Sequence, residues 1–197
     1  RSAARRAVLE ALRAYAGPID GVLVSDYGFG LLTPELVKAA VSLARRRRVP
    51  VTVDSRFDLL RYRGMTAVTP NEPEVEAALG MTIGHNRAKL ESAGRTLLDT
   101  LKCQAVLVTR GSHGMALFEA GQPTVHIPIH GTDQVADVTG AGDTVIATFT
   151  LALASGATPR EASLLANYAG GIVVMKHATA TVSSSELVAA IREGTVR

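Results

Sequence analysis

The stretch Asp137-Val138-Thr139-Gly140-Ala141-Gly142-Asp143-Thr144 decides how the rest of the chain is interpreted. Two glycines flank an alanine, a carboxylate follows, and the apolar run 145–153 comes next, which is the pattern of a loop that enters a buried helix. Small residues allow a phosphate to approach the backbone, and the N–H groups and dipole of a first helical turn favour negative charge. The octet therefore predicts an anion site at a helix N-terminus.

Asp143 adds a second chemical character to this anion site. A carboxylate is an odd neighbour for bound phosphate unless a hydroxyl group loses its proton there while charge develops on a phosphoryl group. The octet therefore favours phosphoryl transfer. The alternative from the residues alone is a glycine-rich turn with an ordinary N-terminal helix cap.

The octet resembles the C-terminal signature of the ribokinase-like (PfkB) carbohydrate kinases, Asp-Thr-x-Gly-Ala-Gly-Asp, with Val138 in place of the threonine. The resemblance implies that Asp143 is the catalytic base and that ATP and Mg²⁺ are needed. It also implies an anion hole for the transferring phosphate, formed by the amides of Gly140, Ala141 and Gly142. Asp137 and Thr139 would help to shape the monovalent-cation site that many members of this family have.

Composition limits the other classes of function. The chain has 197 residues, 47% of them hydrophobic, a formal charge of +3 and one cysteine, Cys103. These values predict a single domain over 1–197 with a substantial core. One cysteine excludes a disulfide framework and a Cys-rich metal site, which favours a reducing, cytoplasmic location. No apolar run is long enough to span a membrane, so we expect no membrane partner. The basic clusters lack the interleaved aromatic residues on which bases stack, so we expect no nucleic-acid partner.

Strand and helix patterns alternate along the chain. The predicted strands are 19–24, 49–53, 65–69, 104–109, 114–119 and 124–129, and the predicted helices are 1–16, 34–48, a short one ending at 79, 86–101, one ending at 154, 159–176 and 184–192. This order predicts an α/β sandwich with a mostly parallel sheet, which the resemblance extends to the ribokinase-like three-layer fold. Ligands of such a sheet bind at the carboxyl ends of its strands, where Asp26, Asp54, Asn71 and Thr109 are expected.

Asn71 and Glu74 lie three residues apart at the start of a predicted helix. An amide and a carboxylate on one face of a first turn can order the water shell of Mg²⁺, which keeps much of its hydration. The same spacing also fits a capping box, and the residues alone leave both open. The stretch resembles the Asn-x-x-Glu motif of the family, which implies a role in Mg²⁺ and phosphate handling.

Two further stretches resemble nucleotide-binding parts of the family. The glycine-rich loop after the strand 104–109 would donate hydrogen bonds and a counter-charge to the nucleotide phosphates, although an ordinary hairpin entry explains it equally well. Asn167 precedes a glycine pair in a helix that borders the adenine in the family, and close helix packing is the alternative. With Asn71, the implied nucleotide-binding residues are Thr109, Arg110, Gly111, Gly114 and Asn167.

Within the family, the chain most resembles the heptose-phosphate kinase domain of ADP-heptose synthesis. The stretches that carry this resemblance, together with the octet, are Val24-Ser25-Asp26-Tyr27-Gly28-Phe29-Gly30, Arg61-Tyr62-Arg63-Gly64, Val108-Thr109-Arg110 and Thr179-Ala180-Thr181-Val182-Ser183. The resemblance implies that the anomeric hydroxyl of a heptose 7-phosphate accepts the ATP γ-phosphate. Arg56, Arg61 and Arg63 are the candidate ligands for the sugar phosphate.

Family members also carry an N-terminal Gly-Gly motif and a small β lid, and nothing in the chain matches either. We therefore expect the C-terminal, nucleotide-binding part of a kinase, without the lid through which such kinases often form homodimers. Two alternatives remain open at this point, a kinase for another sugar and a catalytically silent module that only binds nucleotide.

Overall fold

The computed structural model describes residues 2–131 and 139–195. The strands are β1 Val22–Asp26, β2 Val51–Ser55, β3 Ala67–Val68, β4 Ala105–Thr109, β5 Met115–Glu119 and β6 Val125–Ile127. The helices are α1 Ser2–Ala14, α2 Pro34–Arg47, α3 Glu72–Leu79, α4 Arg87–Leu101, α5 Ala141–Ala154, α6 Pro159–Val174 and α7 Ser184–Thr195. Single 3-10 turns cover Leu59–Arg61 and Gly111–His113. None of the helices in these described ranges is long and apolar enough to cross a membrane.

The strands form one six-stranded sheet in the order β1-β2-β3-β4-β5-β6. Strands β1 to β4 are parallel, and β5 and β6 continue the sheet as an antiparallel hairpin. The connection from β1 through α2 to β2 is the parallel crossover that the sequence predicts. The mostly parallel sheet and the antiparallel pair at its end are both confirmed.

Helices cover both faces of this sheet, which confirms the three-layer fold. Successive residues of a strand point to opposite faces, so β4 contributes to two separate cores. Val106 packs with residues of α2, α3 and α4 in one core, whereas Leu107 packs with residues of α5 and α6 in the other. The octet therefore leads into a helix that is buried against the sheet.

Local cap signals place the helix starts correctly. Thr33 caps α2 by accepting a hydrogen bond from Leu36 N at 3.3 Å, and Pro34 occupies the first turn, as predicted. Thr158 and Glu161 form a capping box at the start of α6. These caps work because the first N–H groups of a helix lack intrahelical partners.

The strand ends differ from the sequence prediction. β1 and β2 continue to Asp26 and Ser55, because the parallel ladder pairs Ser25 with Asp54 and Asp26 with Ser55. The predicted strand 65–69 shortens to the two residues of β3. Polar residues expected just after the strands thus belong to the sheet itself, which holds them more firmly than a loop would.

Gly114 offers a test of the hairpin that closes the sheet. It is buried with φ +75°, and a Cβ built there collides with the carbonyl oxygen of Ile127. We expect Gly114→Ala to lower the free energy of unfolding by about 2–4 kcal/mol, since overpacking adds to the backbone strain. Gly121→Ala is the matched control, because its φ is +71° but its Cβ meets nothing within 4 Å. Equal losses in denaturant unfolding of the two variants would contradict this account.

Candidate active site

Four parallel strand ends bring polar groups to one edge of the sheet. Asp54 lies in register with Ser25, and Asp26 with Ser55. Farther along the same edge, an isolated bridge joins Asn71 to Thr109. The structure therefore places the predicted polar residues along the carboxyl edge of β1 to β4.

Asp26 has a structural role at this edge. It is 8% exposed, and its two carboxylate oxygens accept hydrogen bonds from Gly28 N and from the hydroxyl of Tyr62, which is fully buried. The guanidinium of Arg61 lies 3.6 Å away. These partners hold the turn that follows β1.

The N-terminus of α5 has the form that the octet predicts. Gly140 adopts a left-handed conformation with φ +79°, and α5 begins at Ala141. A Cβ built at Gly142 meets nothing within 4 Å, so the space above this turn is open. Asp143 is exposed in the first helical turn. Because first-turn N–H groups lack intrahelical partners, this open surface suits an anion.

The carboxyl groups of Asp54 and Glu74 at this edge both have raised pKa values. The pKa of Asp54 rises from 3.8 to about 6, mainly because the carboxyl is partly buried and further because Glu74 and Asp143 carry like charges nearby. Burial also raises the pKa of Glu74. Arg56 opposes both shifts. Three carboxylates thus face one cation across the strand ends, an arrangement that favours a bound cation.

The pair Asn71 and Glu74 forms the capping box. Glu74 N donates to Asn71 Oδ1 at 2.8 Å, and Asn71 N donates to Glu74 Oε2 at 2.9 Å. The cap engages one carboxylate oxygen of Glu74 and leaves its second oxygen for another partner. Within residues 2–131 and 139–195, no group of three or more His, Cys, Asp or Glu side chains is arranged to hold a metal directly. Asn71 and Glu74 offer amide and carboxylate oxygens, the hard donor type that suits Mg²⁺, an ion that usually keeps several of its waters.

Several polar groups of the loop after β4 are already hydrogen-bonded to other parts of the protein, which the sequence does not indicate. The side chain of Arg110 pairs with Glu72 at 2.6 Å and donates to the carbonyl of Gly84 at 3.2 Å. The backbone N–H of Thr109 donates to Pro70 O at 2.9 Å. Gly111 is exposed with φ +54°, and a Cβ there meets nothing within 4 Å. Among these loop residues, Gly111 is thus the most open to a phosphate, whereas buried Gly114 serves the hairpin.

The helix α6 uses its glycine pair for packing. A Cβ at Gly170 lies 3.0 Å from the side chain of Val145 in α5, and a Cβ at Gly171 collides with the carbonyl of His130. The Asn167 side chain donates to the Pro128 carbonyl at 2.9 Å and is 7% exposed. Both glycines therefore allow close packing, and the role of Asn167 near the adenine stays a prediction.

Asp143 has a partner that was not among the residues predicted from the sequence. Tyr27, which directly follows β1, donates its hydroxyl to Asp143 Oδ1 at 2.5 Å. Its position after a polar strand end was the available signal, since that edge collects functional residues. Asp137 and Val138 of the octet lie outside the described residues, and with them one of the two residues, Asp137 and Thr139, of the predicted monovalent-cation site.

The candidate sugar-phosphate arginines lie in different surroundings. Arg61 is bound to Asp58, Asp26 and the Leu32 carbonyl. Arg61 and Arg63 line a groove of about 310 Å³ beside α2 that includes none of the strand-end residues. Arg56 is the arginine whose charge acts on the carboxylates of the strand edge.

Comparisons with known proteins identify the family of the chain. The model of the pfkB family carbohydrate kinases matches residues 9–186. Bifunctional protein HldE of Geobacter sulfurreducens is 43% identical over 187 residues, which cover 94% of this chain and 38% of that protein. HldE of Geobacter metallireducens is 46% identical over 178 residues, which are 90% of this chain and 36% of that protein. The chain thus spans less than half the length of these relatives.

Solved structures show the same fold. Arabidopsis thaliana ribokinase, complexed with ribose and ATP, superimposes with a TM-score of 0.77 at 24% identity, over 93% of this chain and 58% of that one. Escherichia coli phosphofructokinase-2, in complex with potassium, gives a TM-score of 0.80 at 18% identity, over 99% and 63% of the two chains. At these identities the likeness shows a ribokinase-like fold and nothing about the site.

The raised pKa of Asp54 predicts how stability depends on pH. Between pH 3.8 and about 6 the folded protein holds a proton that the unfolded chain has lost, so stability falls as pH rises through this window. Asp54→Asn removes this titration. We expect the variant to be more stable than the wild type by about 1–2 kcal/mol near neutral pH and equally stable near pH 4.

Melting temperatures across this pH range test the expectation. Asp99→Asn, at an exposed position of α4, is the matched control and is expected to follow the wild type at every pH. A constant difference between Asp54→Asn and the wild type from pH 4 to pH 8 would show that Asp54 does not titrate abnormally.

Proposed function

Because the chain belongs to the PfkB family of carbohydrate kinases, we propose that it forms the nucleotide-binding part of an ATP-dependent sugar kinase. The observation that carries the proposal is the exposed carboxylate of Asp143 in the first turn of α5, next to the open backbone of Gly142. A base and an anion site adjoin there, and phosphoryl transfer to a hydroxyl needs both.

In the proposed reaction, Asp143 accepts the proton of the sugar hydroxyl as its oxygen forms a bond to the γ-phosphorus of ATP. The bond from that phosphorus to the bridging oxygen breaks, and ADP leaves with the electron pair. The amides of residues 140–142 would stabilise the charge on the transferring phosphoryl group. The exposed turn at Gly111 would bind the phosphates of the nucleotide from the opposite side.

Asn71 and Glu74 would hold the water shell of Mg²⁺, with Asp54 as a further acidic neighbour. Support comes from the two carboxyl groups themselves: partial burial is the main cause of the raised pKa of Asp54 and of Glu74, and a bound cation nearby would favour their charged forms. When bound with ATP, Mg²⁺ neutralises charge on the phosphates. Capping does not exclude this role, since one oxygen of Glu74 is outside the cap.

For the acceptor we propose the anomeric hydroxyl of D-glycero-D-manno-heptose 7-phosphate. This rests on the similarity of the chain to the heptose-phosphate kinase domain and on its identity of 43–46% with HldE proteins. Arg56 is the proposed ligand for the sugar phosphate, because Arg61 is already bound by carboxylates and its charge is compensated. A coupled ADP assay with a panel of phosphorylated sugars tests the acceptor, and a clear preference for a fructose phosphate would contradict it.

The competing function is a silent nucleotide-binding module with the same fold. The presence of Asp143 in an open turn favours the enzyme, since binding alone requires no base. Calorimetry with ATP beside an assay of turnover separates the two. ATP binding without transfer to any sugar in the natural full-length protein would support the silent module.

Asp143→Asn tests the catalytic base in the natural full-length protein. We expect kcat to fall about 10²- to 10⁴-fold, the usual contribution of a general base, while the Kd for ATP changes little. Steady-state kinetics and calorimetry give the two quantities. Asp20→Asn, at an exposed position before β1, is the control, and its kcat and Kd for ATP should equal those of the wild type. Wild-type kcat in Asp143→Asn would remove Asp143 from the mechanism.

A further inference from the structure

The hydrogen bond between Tyr27 and Asp143 joins two distant parts of the chain at the candidate site. The phenol oxygen lies 2.5 Å from Asp143 Oδ1, although the residues are separated by 116 positions. Tyr27 is 44% exposed, and Asp143 is also exposed. Water could satisfy either polar group, so this bond adds little to the stability of the fold. Its effect is on geometry, since it fixes where the carboxylate lies.

The turn that carries Tyr27 is held in place from several sides. Buried Asp26 accepts hydrogen bonds from Gly28 N and from the Tyr62 hydroxyl, and its own carbonyl accepts one from Arg56 N at 3.0 Å. Gly28 has φ +76°, and a Cβ there would collide with the ring of Phe57. The phenol therefore extends from a rigid support and not from a loose loop.

The Tyr27 hydroxyl is suited to donate a hydrogen bond to Asp143 and does not act as a base itself. Its hydrogen bond to Asp143 is the main reason that the pKa of Tyr27 is raised above its ordinary value of 10.0. The hydroxyl therefore keeps its proton at neutral pH. A phenol has one hydrogen to donate, so it can hold only one of the two carboxylate oxygens.

We propose that Tyr27 is a positioning residue for the proposed kinase reaction: it binds Oδ1 of Asp143 and turns Oδ2 toward the acceptor hydroxyl. This inference rests on the proposed function, because it assigns Tyr27 to the base of that reaction. Oδ2 then takes the proton of the sugar hydroxyl, and the Tyr27 proton stays on its oxygen throughout. A misplaced carboxylate would slow transfer without changing how ATP binds.

The kinetic test uses Tyr27→Phe in the natural full-length protein, alone and combined with Asp143→Asn. We expect kcat to fall about 10- to 100-fold in the single variant, with the KM for ATP changed less than about twofold. In the Asp143→Asn background, Tyr27→Phe should cause no further loss, since the carboxylate it positions is absent. Tyr15→Phe removes another exposed hydroxyl, one that donates to the Pro18 carbonyl, and should behave as wild type.

Two kinetic outcomes would overturn the proposal. Equal losses from Tyr27→Phe in both backgrounds would show a general structural role. A higher kcat in Tyr27→Phe would show that the phenol blocks the place of the acceptor hydroxyl.

A second measurement separates this proposal from the function on which it rests. In protein labelled with ¹³C at tyrosine Cζ, NMR titration should show the pKa of Tyr27 falling toward 10.0 in Asp143→Asn, because its main perturbing partner is gone. An unchanged Tyr27 titration overturns the contact, whatever the enzyme assay shows. If the titration moves but wild-type protein phosphorylates no sugar, the contact stands and the proposed function fails.

Discussion

The candidate site depends on how helix α5 is fixed on the sheet. Buried hydroxyls of Thr52 in β2 and Thr150 in α5 lie 2.6 Å apart, and the Thr150 hydroxyl donates to Ile146 O at 2.7 Å. A polar pair between apolar layers has few other partners, so it sets the register of helix against strand. Asp143 lies about 10 Å up the helix from Thr150, and Asp54 lies about 7 Å along the strand from Thr52. This buried contact, together with the apolar packing of α5 on the sheet, brings both carboxylates to the same edge.

Electrostatics at that edge follow from this placement. The carboxylates of Asp54, Glu74 and Asp143 are far apart in the sequence but close together in the fold. Partial burial and these like charges raise the pKa of Asp54 to about 6. A folded protein tolerates such a cost where a ligand supplies the missing positive charge or uses the carboxylate. The open turn at Gly142 and the cation Arg56 lie at the same edge, and the proposed binding of nucleotide and phosphorylated sugar rests on them.

Local sequence signals predicted the framework well, and the contacts between distant residues poorly. Thr33 could be assigned as a helix cap because a cap acts within one turn, and the octet could be placed at a helix start for the same reason. The bond from Tyr27 to Asp143 and the pairing of Arg110 with Glu72 depend on the completed fold. The sequence shows that Tyr27 follows a polar strand end, but not which residue it contacts. The sequence predicted a close approach at the glycine pair of α6, but the groups that approach it, the Val145 side chain and the His130 carbonyl, are set by the completed fold.

The most direct test is a crystal structure of the natural full-length protein with a non-hydrolysable ATP analogue, Mg²⁺ and the phosphorylated sugar. The account predicts the terminal phosphate on the amides at the start of α5 and the acceptor oxygen within about 3.2 Å of the Asp143 carboxylate. A terminal phosphate bound away from this turn, or an acceptor oxygen that faces another side chain, would contradict it.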